Sequence, residues 1–303
     1  MINRIIVLIF MLGFFVQVKA QHNPQFTHFM FNKLIYNPAY AGDREALAAS
    51  AVYRNQWLGI EGAPTTLNFN IHTPFARERA GIGLSVVADK IGAVNTTFAN
   101  ISYNYRVPVG ETAKLSIGIS ARVEHGRLDF TQVDAFDTGD EFILNDIDNS
   151  VRPNFGAGLF LSGKNYYVGL SIPTILRNNL YSAAGFESVF RTYYAMGAVV
   201  LDVSDNVKFK PAVLLSYNQN APFDMDLNAS FLLMDALWLG ATWRLDDSID
   251  ALIQYQFTPS LRAGMAFDFT TSELNSQTSG GYEIMLEYIF TKENKQLRNI
   301  RYF

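Results

Sequence analysis

From about Ala46 to Phe290 the chain offers fourteen segments of about ten residues, most of which alternate apolar and polar side chains. Residues 116–124 show the pattern. Ile117, Ile119, Ala121 and Val123 fall on one side; Ser116, Gly118, Ser120, Arg122 and Glu124 fall on the other. Successive strand side chains point to opposite faces, so each segment carries one apolar face and one polar, even charged, face. A soluble sandwich turns the apolar face inward. A membrane barrel turns it outward against lipid and keeps the polar face in the lumen.

Composition and connection lengths choose between the two. Hydrophobic residues make up 49% of the chain and aromatics 14%. That is rich for a soluble secreted domain, but it is the average a barrel produces when alternate residues face lipid. The expected strands are 46–57, 65–73, 81–90, 95–107, 112–125, 153–163, 165–173, 190–201, 207–218, 224–234, 236–245, 249–257, 260–270 and 281–290. With the N-terminus in the periplasm, connections after odd strands lie outside. The long ones, 126–152, 174–189 and 271–280, all follow odd strands, and those after even strands are short. Long loops outside and short turns inside are what transmembrane barrels show. The expected fold is therefore all-β, a transmembrane antiparallel barrel of about 14 strands with an extended N-terminal segment.

Two faces of the barrel follow from the alternation. Ile101, Tyr103, Tyr105, Leu239, Trp243, Phe267, Ile284 and Tyr288 belong to the lipid side. Arg106, Arg122, Glu124, Lys208, Lys210, Arg244, Asp246, Arg262, Asp268, Glu283 and Glu287 belong to the lumen. A selective ion pore usually carries a ring of one sign. Mixed signs favour a lumen braced by salt bridges.

Residues 1–20 read as a secretory signal peptide: Arg4 supplies the charged region, Ile5 to Val16 the apolar stretch, and Val18-Lys19-Ala20 the small-residue site for cleavage near Ala20-Gln21. About twelve apolar residues are too few to span a bilayer. Beyond them lie an N-terminal segment at 21–45 on the periplasmic side, the barrel at 46–290 and a tail at 291–303. Without Arg4 and Lys19 the chain keeps 22 basic against 28 acidic residues, a net charge of −6. That argues against nucleic acid, which needs a clustered basic face. There is no cysteine, hence no disulfide and no thiolate metal site.

No reaction chemistry assembles. Gly118-Ile119-Ser120 lacks the second glycine of a nucleophile elbow, and no phosphate-binding loop with its Lys-Ser/Thr is present. His22, His28, His72 and His125 form no zinc-like pair. Seven carboxylates in 126–152 lack the spacing of a calcium loop and read as a solvated acidic surface. The expectation is no enzyme, no cofactor and no metal.

Two boxes differ from generic barrel sequence. The first contains Pro24-Gln25-Phe26 and, further on, Asn37-Pro38-Ala39-Tyr40-Ala41-Gly42; the second is Tyr53-Arg54-Asn55-Gln56-Trp57, followed by Gly62-Ala63-Pro64. At these residues the chain resembles the PorP/SprF family of the type IX secretion system of Bacteroidetes. The likeness continues at Gly81-Ile82-Gly83-Leu84, at Asp89 and Gly92, and at Arg301-Tyr302-Phe303, with Ile300 and Lys33 where the family tends to have proline. The resemblance implies an outer-membrane barrel of the secretion and gliding machinery that supports secretion or surface anchoring of a large adhesin. Its partners are then outer-membrane lipid, that cell-surface adhesin and type IX secretion or gliding components.

Within this reading Tyr53, Arg54, Gln56, Trp57, Gly62 and Pro64 are the candidate partner contacts. Pro24, Gln25, Phe26, Asn37, Pro38 and Tyr40 either cap the periplasmic mouth or meet a periplasmic component. The rival reading is an outer-membrane transport barrel for a small or apolar solute.

Overall fold

The computed structural model describes residues 24–128, 147–148, 151–177, 191–219 and 221–290. They build a closed ring of fourteen antiparallel strands: β1 Leu47–Asn55, β2 Thr65–Phe75, β3 Ala80–Ile91, β4 Val94–Val109, β5 Ala113–Leu128, β6 Arg152–Ser162 and β7 Tyr166–Ile172. β8 runs in two pieces, Thr192–Val199 and Leu201–Ser204, and is followed by β9 Val207–Asn218, β10 Asp224–Leu233, β11 Leu237–Arg244, β12 Ser248–Gln256, β13 Leu261–Thr270 and β14 Gly281–Phe290. Each strand pairs with its sequence neighbours. β1 pairs with β14 from Leu47↔Phe290 to Asn55↔Tyr282, which closes the ring. Closure leaves no edge strand, the condition for a sheet to cross lipid. Ile147–Asp148 adds a two-residue ladder to β5.

All fourteen expected strands are present, displaced at their ends by at most three residues. β8 breaks at Val200, just past its Ala198↔Ala212 pair, where the facing strand carries Pro211 with no N–H to donate.

Along β4, Phe98, Asn100, Ser102, Asn104 and Arg106 are buried, while Ala99, Ile101, Tyr103, Tyr105 and Val107 are exposed. The outer wall is thus apolar around the ring, far beyond the patch a soluble monomer tolerates. Aromatics gather at both rims. Tyr53, Tyr193, Tyr217, Trp243 and Tyr282 stand at one end; Phe75, Tyr105, Tyr166, Phe257 and Phe290 at the other. Two such girdles mark the interfaces of a membrane-spanning barrel. Connections 56–64, 173–191 and 271–280 define the loop end, and 76–79, 110–112, 163–165 and 234–236 the turn end. Among the described residues no helix is long and apolar enough to cross a membrane.

The N-terminal segment lies elsewhere than expected. Residues 24–45 thread the lumen. Phe26, Phe29, Met30, Phe31, Leu34, Tyr36 and Tyr40 form one buried cluster with the inward-facing Val52, Phe160, Tyr167, Met196, Leu214, Trp238, Leu252 and Met285. These strand residues sit on the polar side of the alternation, and their apolar character leaves the lumen with a greasy lining that the segment's aromatic and aliphatic side chains cover. Asn37 caps a 3₁₀ turn at Pro38–Tyr40, with its side chain accepting from Ala39 N–H at 2.9 Å. The signal peptide, the acidic stretch of 126–152 other than its described ends, and the Arg301-Tyr302-Phe303 motif lie outside the described residues.

Candidate functional site: the plugged lumen and its loop-side mouth

The segment runs from the loop end to the turn end. At the loop end Gln25 Nε2 donates to Asp224 Oδ2 at 2.6 Å. One residue pair deeper, the backbone N–H groups of Thr27 and His28 donate to the two oxygens of Glu283 at 2.9 and 3.0 Å, and His28 Nδ1 lies 2.7 Å from the same carboxylate. The Thr27 hydroxyl lies between Asp250 and Asp268, at 3.0 and 2.9 Å. Arg54 of β1 completes the cluster, reaching Thr27 Oγ1 at 2.8 Å, Glu283 at 3.1 Å and Asp268 at 2.5 Å.

At the turn end the signs reverse. Arg44 and Arg262 both bind Glu287, Arg44 with one nitrogen at 2.7 and 3.0 Å from its two oxygens. The Lys210 ammonium sits 4.0 Å over the Phe31 ring, and the Lys33 ammonium 4.6 Å over Tyr40 while donating to Met30 O at 2.7 Å. Ring faces are negative, so these aromatics hold cations where carboxylates are few. Asn104 donates to Ala39 O and Ala41 O at 2.6 and 2.7 Å, and Gly42 N–H donates to His72 Nδ1 at 2.9 Å. The lumen is therefore polarised along its axis: Asp224, Asp226, Asp250, Asp268 and Glu283 toward the loops, Lys33, Arg44, Lys210 and Arg262 toward the turns.

Glycines on the inner wall make the fit. A Cβ on Gly118 would run into the Ala39 backbone, and one on Gly158 into the Asn37 amide. Without that amide in place, Asn37 Nδ2 would not reach Leu159 O at 3.0 Å and Leu170 O at 3.4 Å.

The candidate partner contacts divide. Tyr53 faces outward beside Tyr282, ring centroids 6.0 Å apart, and Trp57 and Gly62 are accessible at the loop end. Arg54, Gln56 and Pro64 are buried, so they are corrected from surface groups to internal ones. For Arg54 the reason is alternation, since its neighbour Tyr53 points to lipid. The loop between β1 and β2 is fastened on both sides: Gly92 N–H donates to Gly62 O at 2.7 Å, and Leu58 N–H to Gly280 O at 2.7 Å. Pro24, Gln25, Phe26, Asn37, Pro38 and Tyr40 all lie along the lumen segment. Of the expected lumenal charges, Asp246 lies in the connection after β11 and is exposed there.

Asp226, Asp250, Asn104, Gly158, Gly169 and the role of Thr27 escaped the sequence reading. Gly81 and Gly83 on β3, Gly118 on β5, Gly158 on β6 and Gly169 on β7 all occupy inward positions on one side of the ring, a sequence signal that something else fills the lumen.

Fold and lumen together define a plugged transmembrane β-barrel. Residues 18–288 match the family described as type IX secretion system membrane protein PorP/SprF. The chain belongs to that family and is an outer-membrane barrel. No curated protein matches it. Among solved structures it is similar to the Acinetobacter baumannii outer membrane protein Omp33, at 10% identity and TM-score 0.48, covering 82% of this chain and 100% of that one. It is similar also to a Pseudomonas aeruginosa FadL homologue, at 12% identity and TM-score 0.48, covering 85% and 94%. A third likeness is to the NanC porin, at 11% identity and TM-score 0.43, covering 82% and 100%.

Proposed function

We propose that this barrel is a closed outer-membrane scaffold of type IX secretion that binds rather than conducts. Its loop face holds a large exported adhesin at the cell surface, and its turn face meets periplasmic components of the secretion or gliding machinery. The observation that carries the reading is the lumen filled by residues 24–45. A solute path would require that segment to leave, breaking the Arg54, Glu283 and Glu287 contacts and exposing its aromatics. A folded adhesin has no room to pass through a barrel of fourteen strands, so the adhesin is held outside. On the loop face, Trp57 and Gly62 stand on a loop fastened to both neighbours, which presents them in one geometry.

Tagged protein purified from native outer membranes in mild detergent, with mass spectrometry of what accompanies it, tests this. Stoichiometric recovery of a very large surface protein supports anchoring and identifies the partner. Recovery of the barrel alone in several detergents overturns it and moves solute transport to first place.

A further inference from the structure

At the loop-side mouth a cavity of about 350 Å³ opens between the start of the lumen segment and β8 to β11. Pro24, Gln25 and Tyr36 form one wall, Thr192 and Tyr194 a second, and Asp224, Asp226 and Asp246 the acidic side. We propose that this cavity takes the guanidinium side chain of an arginine from a partner polypeptide. The inference rests on the loop face being the docking face.

Three observations carry it. The first is a charge imbalance. Arg244 is bound to Asp226 at 2.7 Å and lies 3.5 Å from Asp247 and 3.9 Å from Asp250, so one guanidinium already serves three carboxylates. Asp224 accepts from two neutral donors, the Gln25 amide at 2.6 Å and the Met225 backbone N–H, and has no ion pair of its own among the described residues. Asp246 stands exposed in the adjoining connection. The second is Tyr36. It is 3% exposed, lines the cavity, and its hydroxyl has no hydrogen-bond partner among the described residues. A buried hydroxyl without a partner is unfavourable, and a donor reaching it from the cavity would satisfy it. The third is the aromatic lining. Tyr36 and Tyr194 pack edge to face at 5.2 Å, and Phe223 is 49% exposed at the rim. Planar guanidinium groups stack on such rings and bind carboxylates through two parallel hydrogen bonds, which an ammonium cannot do.

A metal ion fits less well. No group of three or more His, Asp or Glu among the described residues is arranged to hold one. The volume falls in the range of small-ligand sites, about 300–1,000 Å³, and suits a side chain with its adjoining backbone.

The test uses the full chain purified in detergent and a capped tripeptide, acetyl-Gly-Arg-Gly-amide, against its uncharged citrulline counterpart, with binding read by ligand-observed NMR. The expected result is saturable binding of the arginine peptide and at least tenfold weaker binding of the citrulline peptide. Asp246→Asn, in an exposed connection, weakens the arginine peptide several-fold and leaves the unboiled-gel mobility of the folded barrel unchanged; Asp224→Asn weakens it further. Equal binding of the two peptides, no binding of either, or indifference to both substitutions in correctly folded protein overturns the proposal. If a large surface protein still co-purifies while the arginine peptide fails to bind, the cavity assignment falls and the scaffold reading stands.

Discussion

Arg54 on β1 holds Thr27 of the lumen segment through a 2.8 Å hydrogen bond while its other amino group binds Asp268 at 2.5 Å. One wall residue thus locks the segment and neutralises the carboxylates that surround it. Removing one partner of a buried ion pair leaves a charge without compensation and costs about 3–5 kcal/mol. Arg54→Met is therefore expected to lower markedly the temperature at which the folded barrel loses its fast mobility on unboiled gels. An unchanged transition would remove Arg54 from its role as the brace.

The threading direction is open to chemical labelling, because the chain has no cysteine of its own. Gln25 stands at the loop end and Glu111 in an exposed turn at the other. Gln25→Cys is expected to react with a membrane-impermeant maleimide on intact cells. Glu111→Cys is expected to react only after the outer membrane is opened. The reverse pattern would show that the loop end faces the periplasm.

A side chain on Gly118 has no space while Ala39 lies against it. Overpacking costs about 1–3 kcal/mol, and here the lumen segment, which unlike the wall is not part of the closed strand ladder, is what yields. Gly118→Val is expected to give intermittent open-channel events in planar bilayers, and the unaltered protein none. Silent bilayers for folded Gly118→Val would mean that the segment tolerates the intrusion in place.

Asn37 both caps the Pro38–Tyr40 turn and bonds two strand carbonyls. Loss of a cap costs about 0.5–2 kcal/mol, and loss of the amide adds to it by leaving Leu159 O with one partner fewer. Asn37→Ala is expected to lower the same gel transition less than Arg54→Met and to speed proteolysis near residues 36–42. Equal proteolysis rates would assign Asn37 no part in holding the segment.

Much of this was legible before the structure. The strands could be read because lipid and lumen impose opposite demands on alternate residues, so segments such as 116–124 declare both faces without help from distant residues. Arg54 was legible too: with Tyr53 outward, period two sends Arg54 inward, although the family box around it suggested a contact surface. Trp238 and Phe160 were not. They are apolar residues on a mostly polar face, and nothing in their own strands says what covers them.

The alternating pattern and the parity of long and short connections determined, by themselves, a transmembrane barrel of fourteen strands with its long connections at one end. Only the tertiary structure decided that residues 24–45 fill it. The contact between Thr27 and Glu283 spans 256 residues. Closing the ring brings the carboxylates of β10, β12, β13 and β14 to one end and the cations of β9 and β13 to the other. A segment with aromatics, backbone donors and one arginine in the matching order becomes a plug only when that enclosed, axially charged space exists around it.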